Sequence, residues 1–206
     1  MASHKMTENY NYGLHNSVYN LKIRGKIDFV PDIDAIQILK RAKLMDILVS
    51  VPIGSNNMIV SEKLCEYIMN SIVPIETQIF DAFALFKEEK YKYKYLYIFD
   101  AKEKDIIDWD NSRFLEEYLG PKYTIGSPKK ISFQAFAKSM DEDGKHYTPH
   151  KLVIKKDRIN TDIIRLDRTF SGYYVSEKLK TAIEKAGCQG VDLIPIDELG
   201  FEVEFV

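Results

Sequence analysis

The sequence predicts an α+β fold of two related halves, each with a strand, helix, strand unit around a mixed or antiparallel sheet. Three observations predict it. The phrase Val-Ser-Glu-Lys-Leu occurs twice, at Val60–Leu64 and Val175–Leu179, 115 positions apart. Each copy follows a short apolar run and opens an amphipathic stretch. Between the copies, Lys90 to Asp100 alternates tyrosine with lysine at the two-residue period of a strand. Two copies are too few for a stacked array, which needs about three. Paired halves are therefore expected, with chance reuse of a common cap-and-helix phrase as the alternative.

In the second copy, Tyr173 to Val175 reads as a strand and Ser176 as the N-cap of a helix from Glu177 to Ala186. Leu179, Ala182, Ile183 and Ala186 make its apolar stripe, Glu177 and Lys185 suit the helix dipole, and Gly187 is the stop. Val191 to Ile196 reads as the following strand. In the first copy Ser61 is the equivalent cap, Ile68 matches Ile183 at the same offset, and Gln78 to Leu85 is the following apolar run.

The remaining elements follow in order. Met1 to Met6 reads as an added leader before a native Met6 and is set outside the fold, leaving 7–206 as one domain with lobes at about 7–100 and 101–206. Thr7 to Asn20 is an irregular arm or an edge strand, and Leu21 to Arg24 with Ile27 to Pro31 an early strand pair. Asp32 or Asp34 caps a predicted helix through Ala35, Ile36, Ile38, Leu39, Ala42 and Leu44, whose other face carries Gln37, Lys40, Arg41 and Lys43. That basic face suits an anion or an acidic partner, although a solvated face is the simpler reading. Leu48 to Val51 is a short strand ending in the turn cluster Pro52 to Asn57, and Gly54-Ser-Asn-Asn57 lacks the Gly-Lys-Ser/Thr of a phosphate loop.

Along Lys90–Asp100, Tyr91, Tyr93, Tyr95, Tyr97 and Phe99 share one face, while Lys90, Lys92, Lys94, Leu96 and Ile98 share the other. The strand enters the core as it proceeds. Asp105 to Asp108 reads as a short strand, and Asp110 or Asn111 as the cap of a helix through Phe114, Leu115 and Tyr118, closed by Gly120-Pro121. Ile131 to Phe136 fits a strand or a short helix, Met140 to Lys145 a turn around Asp143-Gly144, and Lys151 to Lys155 a strand. Ile163 to Leu166 and Glu202 to Val206 complete the strands.

Composition bounds the function. A chain of 206 residues buries roughly 70% of its unfolded surface and needs no disulfide or metal to hold its core. A formal charge of -2 with 45% hydrophobic residues argues for a soluble globular protein and against a general nucleic-acid binder. Cys65 and Cys188 read as reduced, inert thiols. The absence of a signal peptide and of any apolar run near about 18 residues points to a bacterial-type cytoplasm, without a membrane partner.

No self-consistent catalytic set emerges. His146 and His150 are four apart, but Pro149 intervenes and the acidic base of a zinc-protease motif is missing. The acidic run Asp100 to Asp110 lacks calcium-loop spacing. Ser61 and Ser176 lack the Gly-x-Ser-x-Gly frame of a nucleophile and read as caps. No cofactor is implied.

Several of these segments together resemble the eleventh family of immunity proteins from bacterial polymorphic toxin systems, formerly described only as a domain of unknown function. They are the first Val-Ser-Glu-Lys-Leu helix, the tyrosine-rich strand, Ile107-Asp108-Trp109-Asp110-Asn111-Ser112, Ile164-Arg165-Leu166, and the closing unit through Ala186-Gly187, Gly190-Val191 and Pro195. The likeness spans about Ile47 to Ile196. It implies a cytoplasmic protein that is not an enzyme and that binds and neutralises a co-encoded toxin by occlusion. It transfers no catalytic residue.

For such a docking role the candidate anchors are Trp109, flanked by the steering carboxylates Asp108 and Asp110, and then Tyr91 and Tyr93. Trp109 in the core, with its aspartates as caps, is the alternative. Two other functions compete: a small-ligand protein or enzyme using a cleft between the lobes, and a single-strand nucleic-acid binder using the lysine-tyrosine strand.

Overall fold

Two ten-residue strands, β5 (Thr77–Phe86) and β6 (Glu89–Ile98), pair antiparallel from end to end and form the spine of the first unit. The computed structural model describes residues 4–17, 26–33, 36–48, 58–71, 77–98, 103–118, 124–142, 145–166, 169 and 172–206. Around the spine lie β1 (His4–Met6), β2 (Ile36–Ile38), β3 (Ile47–Leu48) and β4 (Met58–Ser61), in the sheet order β1-β2-β5-β6-β4-β3. Within this sheet only the β2–β5 pairing is parallel. The fold is α+β.

Alternation along β6 does what its sequence predicts. Tyr93, Tyr95 and Tyr97 are buried with Ala82, Ala84 and Phe86 of β5, while lysines face the other way. The tyrosine face is covered by the N-terminal segment, through Met6, Tyr10, Ile27 and Ile33. Gln78 holds that segment with both ends of its amide: Oε1 accepts from Ile27 N–H and Nε2 donates to the Ile27 carbonyl, each at 2.8 Å. On the lysine face, helix α1 (Glu62–Ser71) packs over β4 and β6 through Leu64, Cys65 and Ile68.

Over 36–44 the predicted helix is instead β2 and a turn. Ile36 and Ile38 are buried on either side of half-buried Gln37, and the backbone pairs with β1 on one edge and β5 on the other. The apolar positions counted for a helix were too dense to define one stripe, and neighbouring strands decided the conformation. His4–Met6, set outside the fold from sequence, is an edge strand with Met6 in the core. No strand forms over Ile27–Pro31. The expected segments at 21–24, 49–57 and 120–121 lie outside the described residues.

The second unit has a four-stranded sheet, β12-β9-β7-β8, built from β7 (Arg113–Tyr118), β8 (Thr124–Lys129), β9 (Lys145–Ile154) and β12 (Glu202–Phe205), the last parallel to β9. Helix α3 (Phe133–Glu142), capped by Ser132, packs on β9. Phe114, Phe136, Leu152, Ile154 and Leu166 are the centre of its core. Strands β10 (Ile163–Leu166) and β11 (Gly172–Val175) pair with each other.

Two elements here reverse expectation. Residues 105–108 are not a strand, since α2 (Glu103–Ile106) occupies the start and only Ile107 bridges to Ile154. The helix expected through Phe114 is β7, a central strand between β8 and β9. Asp108 explains the second change. Its carboxylate accepts from the Asp110 and Asn111 amides, closing a turn from which the chain leaves extended. The first unit comprises 1–100, 161–163 and 175–192, and the second 101–160, 164–174 and 193–206. The lobes expected from sequence therefore do not map one-to-one, because 161–163 and 175–192 belong with the first.

The β5–β6 turn carries local strain. Lys87 and Glu88 both have positive φ, 51° and 72°, in a two-residue hairpin loop that favours Asn-Gly. Replacing them together, Lys87→Asn with Glu88→Gly, is expected to stabilise the protein by about 1 kcal/mol. The readout is the urea midpoint at unchanged slope, and an unchanged or lower midpoint would count against strain at this turn.

Candidate functional site

The repeated serines stand in matched settings. Ser61 Oγ accepts from Leu64 N–H and Ser176 Oγ from Leu179 N–H, both at 3.1 Å, so each is the cap its sequence predicts. Each hydroxyl also donates to a carboxylate: Ser61 to Asp46 Oδ1 at 2.6 Å and Ser176 to Asp162 Oδ1 at 2.7 Å. Each serine N–H donates to the carbonyl of that same aspartate, at 2.7 and 2.8 Å. The lysine two residues on closes the set, with Lys63 at 3.4 Å from Asp46 and Lys178 at 2.7 Å from Asp162. Both sets lie in the first unit.

Sequence reading found the serines and missed the aspartates. Asp46 and Asp162 lie 15 and 14 residues before their serines, and each directly precedes a strand that pairs back on the serine's own. The repeat is therefore strand, strand, helix: β3–β4–α1 and β10–β11–α4, where α4 is Glu177–Lys185. The strand expected at Val191–Ile196 is absent. Just before it the chain is held to the first set: Gln189 N–H donates to Asp46 Oδ2 at 2.7 Å and Asp46 N–H to the Gln189 carbonyl at 2.9 Å. Gly190 at φ +80° lies so close to Met45 that a Cβ would come within 2.8 Å of the Met45 Cβ. Lys63 reaches the Ala186 and Gly187 carbonyls at 3.4 Å, setting the start of α1 against the end of α4.

Electrostatics follow from this geometry. Burial acts to raise the Asp46 carboxyl, but the Ser61 hydroxyl, the Gln189 amide and the Lys63 ammonium together hold it below the usual carboxylate range. Asp162 is lowered chiefly by Lys178, then by Ser176. Desolvation raises both Cys65 and Cys188, which are free thiols, in keeping with the inert reading.

The predicted docking residues fall in different units, Tyr91 and Tyr93 in the first and Asp108, Trp109 and Asp110 in the second. Trp109 stacks on Phe114 at 5.5 Å and meets Phe133 and Phe136 at 5.4 Å, so its ring packs, partly buried, against the second unit's core. Asp108 is spent on the turn at 110–111, where the Asn111 side chain leads in lowering its pKa, and Asp110 pairs with Lys130 at 2.5 Å. Tyr93 is 3% exposed, with its hydroxyl on the Met45 carbonyl at 2.8 Å, and desolvation pushes its pKa up to about 12. That excludes Tyr93 from a surface contact. Tyr91 is half-buried, and its hydroxyl donates to Glu89 at 2.6 Å. His146 Nε2 pairs with Glu117 at 2.9 Å; His150 is exposed further along the same strand. Among the described residues no His, Cys, Asp and Glu cluster has a metal-holding arrangement, and no helix is long and apolar enough to cross a membrane.

Comparisons with family models, curated proteins and solved structures give no match to this chain.

The Asp46 set makes stability depend on pH with a definite sign. A carboxyl whose folded pKa is depressed contributes stability above its unfolded value, and loses it as pH falls through the lower folded value. Asp46→Asn is therefore expected to be less stable than wild type at neutral pH, with the difference shrinking below about pH 4. Thermal melts of both proteins across this range check it; a gap that widens on acidification would refute the assignment. Ser61→Ala and Ser176→Ala should each cost about 1 kcal/mol or more for the lost cap, measured by denaturant unfolding.

Proposed function

We propose that the chain is an immunity protein that binds a toxin encoded beside it and neutralises it by covering its working surface. The observation that carries this reading is the role of the repeated serines. The residue types that would otherwise suggest chemistry, Ser61 and Ser176 with their aspartates and lysines, are engaged in capping two helices and fastening the strands before them. The two Val-Ser-Glu-Lys-Leu segments behind the family resemblance thus serve as scaffold, and a scaffold holding a fixed surface is what an occluding inhibitor requires.

The nucleic-acid alternative loses its stacking platform. A single-strand binder needs aromatic faces beside its cations, whereas β6 turns Tyr93, Tyr95 and Tyr97 into the core and its lysines to the opposite face.

The test is a titration of this protein with the product of the adjacent reading frame, paired with a growth assay. The expected result is a complex of about nanomolar affinity and relief of growth arrest when both are expressed. A neighbour that arrests no growth, or forms no complex, would overturn the reading.

A further inference from the structure

We infer that the open edge of β12 is the surface that takes the toxin, by pairing with an extended segment that carries a lysine or arginine among apolar residues. The inference rests on the immunity reading and adds the site and the partner chemistry. The four-stranded sheet runs β12-β9-β7-β8, so β12 and β8 are its two edges among the described residues. The two are unlike. β8 carries Pro128 and Gly126 at φ +85°, and its pairing with β7 shifts in register, all of which blunt an edge. β12 contains neither proline nor glycine, and it pairs with β9 residue for residue, from Glu202 opposite Lys151 to Phe205 opposite Ile154.

The direction of its backbone groups follows from the bonds of the next residue. Val206 N–H donates to the Ile154 carbonyl at 2.9 Å, and the Val206 carbonyl accepts from Lys156 N–H at 2.7 Å. Backbone groups alternate in direction along a strand, so those of Glu204 and Glu202 also point to β9, while Val203 and Phe205 turn their N–H and carbonyl groups to the open edge. A strand added to the sheet would bond to those groups.

Side chains at that edge select the occupant. Glu202 and Glu204 form its outermost charged row, their side chains 62% and 48% exposed, and both pair with the one ammonium of Lys151 on the inner strand, at 2.9 and 2.6 Å. A strand laid outside β12 brings its own residues to about 5 Å from that row, so a cation on it would engage the two carboxylates from the other side as Lys151 does. The alternate row is apolar: Val203 is partly buried against the core, and Phe205 is 38% exposed, with the Lys156 ammonium 5.9 Å from its ring centroid. A second copy does not fit. In a two-fold dimer the edges pair antiparallel, and matching the outward groups of Val203 and Phe205 then sets Glu202 opposite Glu204, or Glu204 opposite its own copy. Like charges directly opposite are destabilising.

The experiment measures residue-resolved amide hydrogen exchange of the full chain alone and with the adjacent frame's product, and titrates that product against wild type, Phe205→Ala, Phe205→Pro and Glu204→Lys. In the complex the Val203 and Phe205 amides should exchange about tenfold slower or more, while those of Glu204 and Val206, already bonded to β9, stay protected throughout. Phe205→Pro removes an outward N–H and leaves the pairing with β9 in place. It should weaken binding by about tenfold or more, and Phe205→Ala, which keeps that N–H, by less. Glu204→Lys should also weaken binding, and most at low salt. If the product binds but the Val203 and Phe205 amides are unchanged, or if the proline and alanine variants are weakened equally, the inference is overturned while the immunity reading stands. No binding to wild type would overturn both. Protection of these amides that grows with the concentration of this protein alone would make the occupant a second copy, which also overturns the inference.

Discussion

The hydrogen bond from a capping serine to an upstream aspartate is the interaction on which this architecture depends. A serine cap alone satisfies one orphan amide at a helix start and leaves its own orientation to chance. Here the hydroxyl is oriented by the carboxylate it donates to, and the same aspartate's carbonyl takes the serine N–H. One residue thereby fixes where the strand ends and where the helix begins. Because each aspartate also directly precedes the partner strand, the hairpin and the helix are secured at one point.

The two sets differ where their surroundings differ. At Asp46 the second carboxylate oxygen accepts from Gln189 N–H, and Lys63 stands off at 3.4 Å. At Asp162 that oxygen is taken by Lys178 at 2.7 Å. The Gln189 amide draws the segment after α4 onto Met45 and Asp46, which accounts for glycine at position 190.

How much was legible in the sequence follows from where the determining contacts lie. Ser176, Gly187 and the alternation of β6 act within a few residues of themselves, and each reads correctly: the cap forms, Gly187 takes φ +64°, and burial deepens along the strand. Ile36–Ile38 and Arg113–Tyr118 took their conformation from flanking strands far away in the chain, so local capping signals misled. Asp46 and Asp162 carried no signal, because an aspartate 14 or 15 residues before a serine is unremarkable until a hairpin brings them together. Trp109 was ambiguous for a different reason. A tryptophan between two aspartates suits a capped core residue or a surface anchor, and its three phenylalanine neighbours set it against the core.

The same distinction explains why the recurring sequence phrase says more about scaffold than about recognition. Caps, stops and strand alternation are constrained by backbone hydrogen bonding, so they reappear in recognisable form. A docking face is constrained by a partner outside the chain.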